Sequence, residues 1–226
     1  MKTQITEIPV ISQNIYTSFL TDLNNLQIIS DIDNYGVGIN EDSPADAGKE
    51  NQWVINGFVQ HEDIIVPITP EIRKLEKAIL AVLLDITNTE YKIHDMWAVK
   101  LEKNQSVIAH SHHSNLHPYP GEYYSVAYYP TAPKGSAELI FFAEWCGVMQ
   151  KTSAITPEDS MLIVFNSYMR HMTSRHMIDE PRLVISMNLG PANPNMDPNA
   201  DWSSYWNRPF VNDPSLENYD SSEEII

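Results

Sequence analysis

A single cysteine, Cys146, in 226 residues rules out an intramolecular disulfide and a cysteine-based zinc cluster. Basic residues are scarce as well, with 14 Lys and Arg against 30 Asp and Glu, a formal net charge of −16. A phosphate-binding surface needs clustered Lys and Arg, so neither nucleic acid nor an anionic membrane is an expected partner. No apolar run approaches the roughly twenty residues of a membrane helix, and the opening stretch MKTQITEIPVISQNIY lacks the apolar core of a signal peptide. The expectation from these absences is a soluble chain in a reducing cytoplasm.

What is present is enough for a core. With 42% hydrophobic residues, a chain of this length is expected to form one domain. Ser12 can cap a helix carrying Ile15, Phe19, Leu23 and Leu26 at three- and four-residue spacing. The acidic stretch EDSPADAGKE at 41–50 reads as an exposed loop. A second helix is predicted over 69–86, capped by Thr69, begun by Pro70 and Glu71, and apolar at Ile72, Leu75, Ile79, Val82, Leu83 and Ile86.

From residue 91 the pattern changes to short β-prone runs separated by turns: YKIHDMWAVKL, SVIAHSH, YYSVAYYP, AELIFFAEW, KTSAITP, SMLIVFNSY, RHMTSRHM and RLVISMNL. Eight strands after a helical N-terminal third predict a mainly β, cupin-like double-stranded β-helix, or jelly roll. The expected plan is a helical support over 1–90, a β-helix core over 91–190 and an irregular tail over 191–226. That tail carries Trp202, Tyr205, Trp206 and Phe210, too apolar for a free linker, and is expected to pack on the barrel or on a second copy in a homodimer.

Four of the eight histidines fall within HSHHSNLH at 110–117, and His171 and His176 follow the apolar strand MLIVF. His110 and His112, at i and i+2, project from one face of an extended segment, and His171 can complete a three-point grip on a metal. An iron centre held that way keeps open positions for a cosubstrate and oxygen. A 2-oxo acid cosubstrate then needs a cation at its far end, and a guanidinium fork suits a carboxylate. Arg182 opens RLVISMN, where Arg182, Val184, Ser186 and Asn188 share a face. Trp97, Tyr128, Trp145, Phe141 and Phe142 read as core, and His113 and His117 as solvated groups.

In order along 96–190, MWAVKL, HSH, YSVAYYP, ITPEDSMLIVF, RHM and RLVISMN resemble the motifs of the Fe(II)- and 2-oxoglutarate-dependent dioxygenases, especially their prolyl-hydroxylase-like branch. That resemblance implies His110 and His171 as iron ligands, Arg182 as partner of the 2-oxoglutarate C5 carboxylate, and Ser125, Tyr129 and Asn188 as cosubstrate contacts. It also implies O2-dependent hydroxylation of a C–H bond, on a protein side chain or a small molecule, with release of succinate and CO2. The sequence departs from the family where a carboxylate ordinarily follows the first histidine at i+2, because His112 stands there. Three arrangements are open: His112 as ligand, Glu122 swinging in as the carboxylate, or a water in the third position. Two other functions are open too, a cupin-like three-histidine dioxygenase that uses no 2-oxoglutarate, and a non-catalytic or virion-associated β-barrel binding module.

Overall fold

A computed structural model describes residues 14–38, 52–55, 58–112, 123–145 and 148–192. Ser12, the loop at 41–50, the segment 113–122 with Glu122, Cys146 and the tail from 193 onward lie outside the described residues.

Helix α2, Pro70–Thr87, forms where the periodicity predicts it. The Thr69 hydroxyl accepts from the Ile72 N–H at 3.2 Å, Pro70 starts the first turn, and Asn88 ends the helix in a left-handed conformation with φ 53°. Its buried stripe of Ile72, Leu75, Ile79 and Leu83 packs on a sheet. The predicted N-terminal helix is not where its spacing put it. Ile15–Phe19 is strand β1, and helix α1 runs over Asn25–Tyr35, capped by Asn24. Ile15 and Phe19 at i and i+4 also satisfy the two-residue period of a strand. The backbone of β1 pairs residue by residue with Met161–Phe165, and those tertiary hydrogen bonds decide the matter.

The remaining strands are β2 (Val37–Gly38), β3 (Gln52–Ile55), β4 (Phe58–Ile65), β5 (Tyr91–Leu101), β6 (Tyr124–Thr131), β7 (Leu139–Trp145), β8 (Val148–Ile155), β9 (Met161–Asn166), β10 (Arg170–Thr173) and β11 (Arg182–Pro191). The larger sheet has the order β1-β9-β6-β11-β5-β4-β2, with β3 paired to β4. The smaller has the order β10-β7-β8, and every pairing is antiparallel. One face of the larger sheet packs on the helices through Ile28, Ile79, Tyr128 and Ile185. The other packs on the smaller sheet through Val99, Tyr129, Phe141 and Phe165. No described helix is long and apolar enough to cross a membrane.

One expected strand, SVIAHSH at 106–112, is not regular. It runs as a ribbon beside β10, held by Thr173 N–H to the Val107 carbonyl at 3.1 Å and by Val107 N–H to the Thr173 hydroxyl at 2.8 Å. A side-chain oxygen replaces a ladder carbonyl there, which breaks the repeat while satisfying the backbone. Only His110 makes a true bridge, to His171.

The two helices are locked together at the cap of α2. The Thr69 hydroxyl also donates to the buried Asp31 carboxylate of α1 at 2.6 Å. Replacing Thr69 by Ala removes the cap and takes a donor from a buried acid, so Thr69→Ala is expected to destabilise the protein by about 2 kcal/mol, against less than about 1 kcal/mol for Thr69→Ser. Urea denaturation of the two variants checks the difference.

Candidate metal centre

The site grows out of the sheet register. Along the inner face of the larger sheet, Trp97 stands opposite Ser186 and Ser186 opposite Ala127; Val99 stands opposite both Val184 and Asp63. Residues directly across antiparallel strands point to one face, so these rows wall the space between the sheets. That space is a cavity of about 270 Å³. Trp97, Val107 and Ile108 give it apolar walls, the histidines line it, and Arg182 and Tyr129 line it as well.

The three predicted histidines meet there. His110 and His171 exchange both backbone hydrogen bonds, each at 2.9 Å, which sets their rings side by side with centroids 4.4 Å apart. The His112 N–H donates to the Ser167 carbonyl at 2.9 Å, bringing its ring to 4.9 Å from His171 and 5.3 Å from the indole of Trp97. The ligand nitrogens of all three lie within 4.8 Å of one another. Phe165, whose ring is 4.8 Å from His171, backs the group.

Each ring is fixed at Nδ1. That of His110 is 2.8 Å from the Ile108 carbonyl, that of His171 is 2.9 Å from the Met169 carbonyl, and that of His112 is 2.6 Å from Asn188 Oδ1. Carbonyl oxygens only accept, so each Nδ1 carries the proton and each Nε2 presents its lone pair. The Nε2 atoms of His110 and His112 face each other at 3.0 Å. Burial, then the neighbouring His110, lowers the pKa of His112 to about 4. Burial, then His112 and His110, holds His171 well below the usual imidazole range. Converging lone pairs that resist a proton are the donor set a divalent cation fits, and imidazole suits iron, zinc, copper and nickel.

Arg182 is the second feature of the cavity. It is 1% exposed; its Nη1 donates to the Ala137 carbonyl at 2.8 Å, and its Nε is buried without a hydrogen-bond partner. Its guanidinium carbon is 5.4 Å from the centroid of the Tyr129 ring. Burial pushes its pKa down, against the pull of Tyr129, and burial pushes that phenol up. Among the described residues no carboxylate forms an ion pair with Arg182. A buried cation without an anion is costly unless something negative is to join it.

Other candidates are placed elsewhere. Ser125 and Asn188 do not face Arg182; the Ser125 hydroxyl is 3.0 Å from His112 Nδ1 and 2.7 Å from Asn188 Oδ1. Glu122 is outside the described residues. His176 is buried, with one ring nitrogen 2.8 Å from the Glu180 carbonyl and the other accepting from the Ala137 N–H at 3.3 Å. Phe141 and Tyr128 are core, as expected, whereas Trp97 lines the cavity. The sequence gives one usable signal for Trp97: it shares the strand face of Asp95 and Val99. The residue wholly missed is Asp95, whose carboxylate accepts the backbone N–H of Asn188 at 3.0 Å.

The fold is shared with two solved enzymes of nogalamycin biosynthesis. The non-haem α-ketoglutarate-dependent carbocyclase SnoK is 11% identical, with a TM-score of 0.56 over 80% of this chain and 81% of its own. The non-haem α-ketoglutarate-dependent epimerase SnoN is 12% identical, with a TM-score of 0.51 over 74% and 83%. A viral collagen prolyl hydroxylase from Paramecium Bursaria Chlorella virus-1, solved with 2-oxoglutarate, is similar with a TM-score of 0.48, 12% identity, and 77% and 94% coverage. No family model matches the chain, and no curated protein matches it in sequence. Mainly β with two helices on one face, the chain has the double-stranded β-helix that the strand pattern predicts and that these two enzymes share.

The low pKa of His112 has a measurable consequence in metal-free protein. Its folded value of about 4 lies below the ordinary 6.5, so the unfolded chain takes up the proton first. The stability this contributes is complete above about pH 6.5 and is lost as pH falls through about 4. Between pH 7 and pH 5 in a chelator, wild type is expected to lose about 2 kcal/mol more than His112→Gln, read from urea midpoints at each pH.

Proposed function

We propose that this protein is a non-haem Fe(II)- and 2-oxoglutarate-dependent dioxygenase that hydroxylates a C–H bond of a protein side chain or small molecule. The observation that carries the reading is Arg182, a buried guanidinium with no ion-pair partner among the described residues, in the cavity lined by His110, His112 and His171. The Nε2 atoms of those histidines would hold the metal. Iron(II) bound there would couple the oxidative decarboxylation of 2-oxoglutarate by O2, releasing succinate and CO2, to oxidation of the substrate.

The chain's own residues supply binding and orientation. Arg182 meets the C5 carboxylate of 2-oxoglutarate with a bidentate fork already stripped of water, so the ion pair forms without a further desolvation step at the protein side. Tyr129, beside the guanidinium, is a phenol donor for the same carboxylate. Trp97, Val107 and Ile108 give the reacting end apolar walls. Fold likeness to α-ketoglutarate-dependent enzymes is compatible with this reading and does not by itself carry it. A cytoplasmic location fits the lone cysteine.

The third histidine favours a second reading, a three-histidine dioxygenase that uses no 2-oxoglutarate, in which Arg182 holds an anionic substrate instead. Anaerobic titration of Fe(II)-loaded protein with 2-oxoglutarate separates the two. The first reading expects a visible metal-to-cosubstrate charge-transfer band that Arg182→Met abolishes. Iron uptake without a band selects the second, and no iron uptake leaves a binding module.

Stability adds an independent check on Arg182. Removing a buried, unneutralised charge relieves a desolvation penalty, so Arg182→Met is expected to melt at the wild-type temperature or above it while losing 2-oxoglutarate binding. Thermal unfolding of the metal-free proteins by circular dichroism measures this, and a large drop in Tm would show that the arginine holds the fold together.

A further inference from the structure

The three histidines are not fixed by equivalent means. His110 and His171 give their Nδ1 protons to main-chain carbonyls, those of Ile108 and Met169. A main-chain carbonyl cannot change roles, so those two tautomers are set by the fold. His112 depends on a side chain, Asn188. An amide offers an acceptor at one end and donors at the other, so it can fix a tautomer only if something fixes the amide.

Asp95 does so. It lies on β5 opposite Asn188 on β11, where the register slips between Asn188 and Leu189. At that bulge the Asn188 backbone N–H turns to Asp95 Oδ1, at 3.0 Å, instead of to a strand carbonyl. The Asn188 side-chain amide faces the same carboxylate and, with the backbone N–H, holds its pKa down against burial, which pushes it up to about 6, so the group is ionised at neutral pH. A carboxylate accepts, so the NH2 end of Asn188 faces Asp95 and Oδ1 is left facing His112. The Ser125 hydroxyl, 2.7 Å from the same Oδ1 and 2.9 Å from the Ser167 hydroxyl, closes the group around it.

We infer that Asp95, acting through Asn188, is the positioning residue of the metal centre: it holds His112 with its proton on Nδ1 and its lone pair on Nε2, and gives the centre the negative charge its three neutral ligands lack. The charge argument rests on the proposed function. A dication held by three neutral imidazoles gains no negative charge from its ligands, where a carboxylate ligand would supply one. Asp95 is buried and linked to the ligand through one amide, and so places a negative charge behind His112 rather than on the metal. Charge delivered through the Nδ1 hydrogen bond raises the basicity of the ligating nitrogen.

The test is Co(II) binding by the full-length metal-free chain, followed by visible d–d absorption without 2-oxoglutarate, together with 15N NMR of the histidine side chains. Asp95→Asn keeps the shape and removes the charge, and is expected to weaken Co(II) binding about 10- to 100-fold. The double variant Asp95→Asn/Asn188→Asp moves the carboxylate directly against His112 Nδ1 and is expected to recover most of that loss. In wild type His112 is expected as the single Nδ1-protonated tautomer, and in Asp95→Asn as a mixture; a merely structural role would lower Tm and leave the tautomer alone. Binding by Asp95→Asn within twofold of wild type, or an Nε2-protonated His112 in the wild-type chain, overturns the inference, and the latter needs no variant to fold. Co(II) uptake that depends on Asp95 in a protein that ignores 2-oxoglutarate sinks the proposed function and leaves the positioning role standing.

Discussion

The site depends on one two-hydrogen-bond bridge, between the backbones of His110 and His171. It is all the regular pairing that the segment 106–112 retains, and it ties a ribbon with no ladder of its own to the edge strand of the smaller sheet. Because the two residues exchange both bonds, their side chains leave on the same side. Without that constraint, residues sixty-one positions apart would have no reason to aim two imidazoles at one point. The Ser167 carbonyl extends the same logic by one more bond and brings in His112.

Around this bridge the protein has assembled groups that are individually unfavourable. Three neutral imidazoles with converging lone pairs, a guanidinium without a counter-ion and a carboxylate walled in behind them all oppose burial. Each is compensated in part: Nδ1 by carbonyl oxygens, Arg182 by the Ala137 carbonyl and the face of Tyr129, and Asp95 by the backbone N–H of Asn188. The compensation is incomplete at the Nε2 atoms and at the Arg182 guanidinium. A metal ion and an anion would complete it at those two places, which is the physical basis for reading the cavity as a site rather than as core.

The helical layer serves a different purpose. Helices α1 and α2 cover the far face of the larger sheet, and the Thr69–Asp31 bond joins them. With that face sealed, the inner face is free to carry polar rows at Asp95–Asn188–Ser125 and at Trp97–Ser186. Asn188, which orients His112, is on strand β11, whereas the Ile108 and Met169 carbonyls that orient His110 and His171 lie in the short segments beside β10.

The sequence by itself determined the period of α2, seven of the eight C-terminal strands, and the identity of the histidines and the arginine, because hydrophobic spacing and residue chemistry are local properties. Ile15 and Phe19 fit both a helix and a strand, and only pairing with β9 chose the strand. Asn188 and Ser125 were legible as inward-facing polar residues, but whether they met Arg182 or His112 depended on strand register, a long-range quantity. Asp95 was invisible for the same reason: a lone acid in a β-prone run carries no mark, and a bulge ninety-three residues away in sequence, at Asn188, turns it into the support of a ligand. Only the tertiary structure could decide that, because a histidine's tautomer is set by the neighbour of its neighbour, and folding alone brings those neighbours together.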